Sequence, residues 1–194
     1  MKKLILMLTL MLGLSVLLTV AANAGEAPEG FANIPWGASS NKVDQAMGSQ
    51  GFSKIGACPF IPAPDGSTCV SYSGSLAGIA GTLDFWFLND TFFHGGFTFV
   101  KKDGGDAERS AYGKISPIIQ SKYGSPTTSN KRVDGLYEEW DGLRVGSDSI
   151  KIYVAYDARL SRCGSSLCSS SFTVDYFNKG LQGRLLGGGD KNGL

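Results

Sequence analysis

The chain has one histidine among its 194 residues, His94, and only four cysteines. A single histidine restricts acid–base and nucleophilic chemistry, because no Cys–His or Ser–His–Asp constellation can draw on any other imidazole. No G-x-S-x-G run occurs, so the turn that exposes a hydrolase serine has no sequence counterpart. The cysteines form no C-x-x-C pair, the usual redox motif. They also lack the two close pairs of a structural zinc site. Gly104-Gly105 and Gly187 to Gly189 have no lysine in a strand–loop–helix setting, so they read as a turn and a tail rather than a phosphate cradle. Charge is sparse and balanced, with 18 basic against 17 acidic residues. That leaves no basic field to attract nucleic acid or an anionic membrane. The absences together predict no catalytic residue, no metal site and no cofactor.

What is present begins at the start of the chain. Met1-Lys2-Lys3 is a short positive opening, Leu4 to Val20 is apolar and uncharged, and Ala22-Asn23-Ala24 offers small residues at the positions a signal peptidase reads. Residues 1–24 are therefore expected to be a cleaved signal peptide, of bacterial layout, that delivers the chain to the periplasm or beyond. The competing reading is an uncleaved anchor, since the apolar stretch approaches the length of a spanning helix. No cysteine follows it, so a lipid attached at the cleavage point is excluded. No later segment is apolar enough to span a membrane. An oxidising destination frees the cysteines to pair. Of the three connectivities open to four cysteines, Cys58–Cys69 and Cys163–Cys168 are favoured, because each brackets a short turn-rich segment. Each clip is expected to contribute about 2–3 kcal/mol through loop closure.

Ser39 or Ser40 can cap a short helix with Val43, Ala46 and Met47 at helical spacing, ending at Gly48. Strands are expected at Cys69 to Ser73, Gly81 to Leu88 and Thr91 to Lys101, with Asn89-Asp90 as a two-residue hairpin turn. Leu83, Phe85 and Phe87 share a face, which Phe93, Phe97 and Phe99 continue after the turn. Gly95-Gly96 predicts a bulge or a close backbone approach. A second helix, about Ala107 to Lys122, carries an apolar stripe of Tyr112, Ile115, Ile118, Ile119 and Tyr123, with a kink or a break at Pro117 and an end at Gly124. Arg132 to Trp140 is expected to pair with Arg144 to Asp157 around an Asp141-Gly142 turn, and Ser171 to Asn178 to return beside them. Ile150, Ile152, Val154 and Tyr156 fall on one face, as do Phe172, Val174 and Tyr176.

The order helix, strands, helix, strands predicts an α+β fold of two helix-plus-antiparallel-strand units, with helices packed on one face of an antiparallel sheet. The units span about residues 31–100 and 106–178 within a single domain of residues 25–182. The glycine-rich residues 183–194 read as a disordered tail.

The phrase Ile34-Pro35-Trp36-Gly37-Ala38-Ser39, followed by Val43, Met47 and Gly51-Phe52, resembles the opening of many small exported bacterial proteins of unassigned function. Ser121-Lys122-Tyr123-Gly124-Ser125-Pro126 is similar to their helix-ending phrase. The arrangement also resembles the folds of the β-lactamase inhibitor protein and of the small outer-membrane assembly lipoproteins of the SmpA/OmlA type. That resemblance implies protein binding through a sheet face or loops, without catalysis. The lipid-bearing cysteine of the assembly lipoproteins is missing from this chain.

Three aromatic residues, Tyr137, Tyr153 and Phe177, fall opposite the core positions of their strands. Together on one sheet face they would form a binding patch, unless loops or the tail cover them. His94, in a strand beside two glycines, reads as a packed or surface residue rather than a catalyst. Glu138 and Glu139 are adjacent in a strand and point to opposite faces, so they cannot share a site, while Glu139 and Asp141 read as a solvated face. The expected function is an exported, non-catalytic binding module whose partner is another envelope protein, with no nucleic acid bound. The alternatives are a small envelope hydrolase and a structural envelope protein held by an uncleaved signal.

Overall fold

The computed structural model describes residues 27–58, 66–101, 106–132, 135–157, 162–163, 166–167 and 170–187. The expected signal peptide and Cys168 lie outside the described residues, as does the tail from residue 188 onward.

Twelve strands and three helices form among the described residues. The strands are β1 (Gly30–Phe31), β2 (Ile34–Pro35), β3 (Ser53–Ala57), β4 (Ser67–Leu76), β5 (Ile79–Leu88), β6 (Thr91–Lys101), β7 (Thr128–Arg132), β8 (Gly135–Val145), β9 (Asp148–Asp157), β10 (Arg162–Cys163), β11 (Ser166–Leu167) and β12 (Ser170–Asn178). The helices are α1 (Ser40–Ser49), α2 (Asp106–Tyr123) and α3 (Lys179–Leu185). Eight strands form one antiparallel sheet in the order β3-β4-β5-β6-β12-β9-β8-β7. Two small hairpins, β1–β2 and β10–β11, stand apart from it.

This architecture overturns the expected α+β fold of two helix-plus-strand units. The chain is mostly β: one eight-stranded antiparallel sheet carries it, with only three short helices among the described residues, rather than two helix-plus-strand units. The last strand, β12, lies between β6 and β9, pairing Phe172 with Phe99 on one side and with Tyr156 on the other. The strands are also longer than their turn signals suggested. β4 and β5 are each ten residues long and meet at Ala77-Gly78, whose φ values of 49° and 77° make a tight hairpin turn. Ala77-Gly78 is not one of the strongest hairpin dipeptides, so the sequence hid the turn.

Asn89-Asp90 forms the expected turn, with φ of 50° and 56°. Asp141-Gly142 does not. β8 continues through it, and the register jumps from Trp140 opposite Ile152 to Leu143 opposite Ile150. Two residues therefore face Lys151 alone, a bulge that the positive φ of Gly142 (79°) permits. Gly48 likewise does not end α1. Ser39 caps the helix by accepting from the Lys42 N–H at 3.4 Å, and the chain leaves it at Gln50, before Gly51 at φ 80°. Pro117 does not split α2, where Gly113 four residues earlier adds no side chain beside the proline ring. Ile118 faces solvent at 53 % exposure, and Ala111 joins Ile115, Ile119 and Tyr123 on the buried face. α3 continues through Gly183 to Leu185, so the residues read from sequence as the start of the tail are helical.

One face of the sheet, the inner face, carries the main core. Phe85, Phe97, Ile152, Val154, Phe172 and Val174 lie there with Val43 and Met47 of α1 and Ala111, Ile115 and Ile119 of α2. Apolar burial on this scale, at about 25 cal/mol per Å², is the main stabilising force available to the fold. A smaller cluster of Cys69, Trp86, Leu88 and Phe93 forms separately, with Cys58, Leu181 and Leu185 packed against it. The Cys58–Cys69 disulfide is formed, with its Cα atoms 5.4 Å apart. The Cys163–Cys168 pair falls partly outside the described residues. No helix among the described residues is long and apolar enough to cross a membrane.

Candidate functional site

Strand registry decides which side chains meet on the outer face, opposite the main core. Ser71 of β4 stands opposite Asp84 of β5, Asp84 opposite Gly96 of β6, Gly96 opposite Asp175 of β12, Asp175 opposite Tyr153 of β9, and Tyr153 opposite Glu139 of β8. Directly opposite residues share a face, so these six form one row across the sheet. The neighbouring row runs Cys69, Trp86, His94, Phe177 and Lys151.

In the second row the His94 ring lies between two aromatic rings. Its centroid is 3.9 Å from that of Trp86, nearly parallel at 9°, and 3.6 Å from that of Phe177 at 19°. Its Nε2 lies 3.0 Å from Asp175 Oδ1. His94 is only 7 % exposed and Trp86 1 %. Gly96 makes room for this arrangement, since a Cβ there would stand 2.7 Å from Asp175 Oδ1 and 3.2 Å from the Trp86 ring. Gly95 serves the inner face in the same way, because a side chain there would collide with the Phe31 ring. The Gly95-Gly96 pair is thus the close backbone approach its sequence predicted. The bulge lies one step earlier: β5 pairs Trp86 with His94 but Phe87 with Phe92, which leaves Phe93 as the extra residue. The extra residue shifts the alternation, and Phe93 joins the Trp86 cluster instead of continuing the face of Phe97.

Ser71 and Asp84 complete a buried polar group. The Ser71 hydroxyl donates to Asp84 Oδ1 at 2.5 Å, and both residues are buried. Burial pushes the Asp84 carboxyl above the usual carboxylate range. The Ser71 hydrogen bond opposes that shift, the Asp175 charge adds to it and His94 opposes it. The chemistry is internally committed: the Ser71 hydroxyl serves Asp84, His94 serves Asp175, and both faces of the imidazole are covered. Among the described residues no group of three or more His, Cys, Asp or Glu side chains is placed to hold a metal ion.

All three residues expected to form a binding face lie on this side of the sheet. Tyr137 and Tyr153 are ring neighbours, with centroids 5.8 Å apart at 31°, and both are half-buried. Phe177 is also half-buried, but its ring is engaged by His94. α3 packs over the Trp86 end of the face through Leu181 and Leu185. It is fastened by an Arg184–Asp148 ion pair, by Lys179 to Asp141 at 2.8 Å, and by Asn178, whose side chain accepts from the Leu181 N–H at 2.8 Å. The ion pairs hold the Asp148 and Asp141 carboxyls below their ordinary range, in each case first through the hydrogen bond from the cationic partner. By register, Tyr153 and Tyr137 lie further from α3 than Phe177 does.

Glu138 and Glu139 point to opposite faces as expected. Glu139 pairs with Lys151 at 2.6 Å on the outer face. Glu138 is buried on the inner side, where it accepts from Ser116 and, at 3.0 Å, from Gln120 of α2. Sequence reasoning missed the Ser71–Asp84 and His94–Asp175 pairs. One signal was available for the first: Asp84 lies between Leu83 and Phe85 in an apolar strand, and a carboxylate there demands a buried partner.

Compared with protein-family models, with curated proteins and with solved structures, the chain matches none of them.

Proposed function

We propose that the chain is an exported, non-catalytic binding module that meets another protein of the bacterial envelope through its outer sheet face. The observation that carries this reading is the Tyr137–Tyr153 pair, two adjacent half-buried rings beside the Glu139–Lys151 ion pair. Large aromatic rings with a polar rim are the composition that protein interfaces favour. The commitment of Ser71, Asp84, His94 and Asp175 to one another also supports binding over hydrolysis, because it leaves the single imidazole sandwiched and hydrogen-bonded. The resemblance carried by Ile34 to Ser39 and Ser121 to Pro126 points the same way.

The test is affinity capture from an envelope extract, with Tyr153→Ser set against Ile118→Ser, which alters an exposed residue of α2. A partner held by the wild type and by Ile118→Ser but lost by Tyr153→Ser supports the proposal. Retention by Tyr153→Ser, or no specific partner at all, overturns it.

A further inference from the structure

A cavity of about 580 Å³ opens on the other side of the molecule, between the β1–β2 hairpin and the C-terminal ends of α1 and α2. Four aromatic residues belong to its lining, Phe31, Phe52, Tyr123 and Tyr176, of which Phe31 and Tyr123 are themselves buried. Its volume falls within the range of small-molecule sites, and its exposed lining is divided about evenly between polar and apolar surface. Two opposite charges belong to the lining, Glu29 of the hairpin side and Lys122 of α2. Both are exposed, and among the described residues neither makes an ion pair.

The helix ends bear on which charge a ligand would meet. Helix C-termini ordinarily favour cations through their unsatisfied carbonyls. Here those of Ala46, Met47 and Gly48 accept from Gln50, Phe52 and Gly51, and that of Gln120 accepts from Gly124. The Lys122 ammonium, by contrast, is placed over the face of the Tyr123 ring, 5.2 Å from its centroid, with donors to spare. We propose that the cavity takes a small amphiphile whose flat apolar body lies against Phe52 and Tyr176 and whose anionic head meets Lys122.

The probes are 8-anilinonaphthalene-1-sulfonate and N-phenyl-1-naphthylamine, which share a body and differ in the sulfonate. Fluorescence titration of the purified protein is expected to show saturable one-to-one binding of the sulfonate probe, tighter than that of the neutral one. Lys122→Glu is expected to weaken the sulfonate probe about three- to tenfold, as suits an exposed charge contact, and to leave the neutral probe unchanged. Glu29→Gln is expected to tighten the sulfonate probe slightly. Leu76→Trp, which enlarges a lining side chain on the inner side of β4, is expected to weaken both probes by about an order of magnitude; an unchanged thermal midpoint shows that the fold is intact. Absent binding, or binding indifferent to both Lys122→Glu and Leu76→Trp, overturns the site. A sulfonate probe that binds more tightly to Lys122→Glu overturns the anionic head.

Discussion

On the inner face, Phe85, Phe97, Ile152, Val154 and Val174 meet apolar neighbours wherever the sheet turns. On the outer face, one residue away along the same strands, Asp84, Gly96, Tyr153 and Asp175 meet one another. Apart from Glu138, which Ser116 and Gln120 of α2 satisfy, the inner face needs only that each residue be apolar and of suitable volume, since hydrophobic attraction has no direction. The outer face is built from directed contacts, some within a hairpin, as Ser71 with Asp84, and others between strands far apart in sequence. His94 and Asp175 are 81 residues apart.

The largest expected effect tests the inner face. Phe85 is fully buried, and Phe85→Ala is expected to cost about 3–5 kcal/mol, read as a lower urea midpoint with an unchanged slope. A loss under about 1 kcal/mol would mean that the core is not close-packed there. Gly96→Ala comes next. The added methyl would crowd Asp175 and the Trp86 ring, so a cost of about 1–3 kcal/mol from overpacking is expected. The tryptophan fluorescence of the folded variant should shift with it. An unchanged midpoint and spectrum would break the claim that the outer face is as tightly fitted as the core.

A smaller effect distinguishes the faces by pH. The folded-state pKa of Asp84 is raised above its unfolded value, so between the two values the folded chain holds more protons than the unfolded one. Its contribution to stability is most favourable below the unfolded value and declines as pH rises through the folded one. Asp84→Asn keeps an acceptor for Ser71 and removes the buried charge. The variant is expected to gain stability relative to wild type at neutral pH, with the gain shrinking as pH falls into the carboxylate range. A gain that grows on acidification would contradict the sign.

The same comparison explains what could be read from sequence. The alternation at Ile150, Ile152 and Val154 and at Phe172 and Val174 identified core residues correctly, because period-2 alternation needs no knowledge of the partner strand. It failed at Phe93, where a bulge shifts the alternation, and at Asp141-Gly142, where a strong turn dipeptide serves a bulge within β8. Strand order was not legible. The place of β12 depends on its pairing with β6, a strand far away in sequence, and that pairing joins the strands before α2 to those after it. For the candidate site, parity placed Tyr137, Tyr153 and Phe177 on one side, but only the register revealed that Phe177 is stacked on His94 while Tyr137 and Tyr153 lie together.

The outer face as a binding surface is tested most directly by a photo-crosslinking amino acid placed at Tyr153 and, as a control, at the exposed Ile118 of α2, in cells producing the protein. The expected result is one discrete adduct on irradiation at position 153 and none at position 118. An adduct formed equally at both positions, or only at 118, would contradict the assignment of binding to this face.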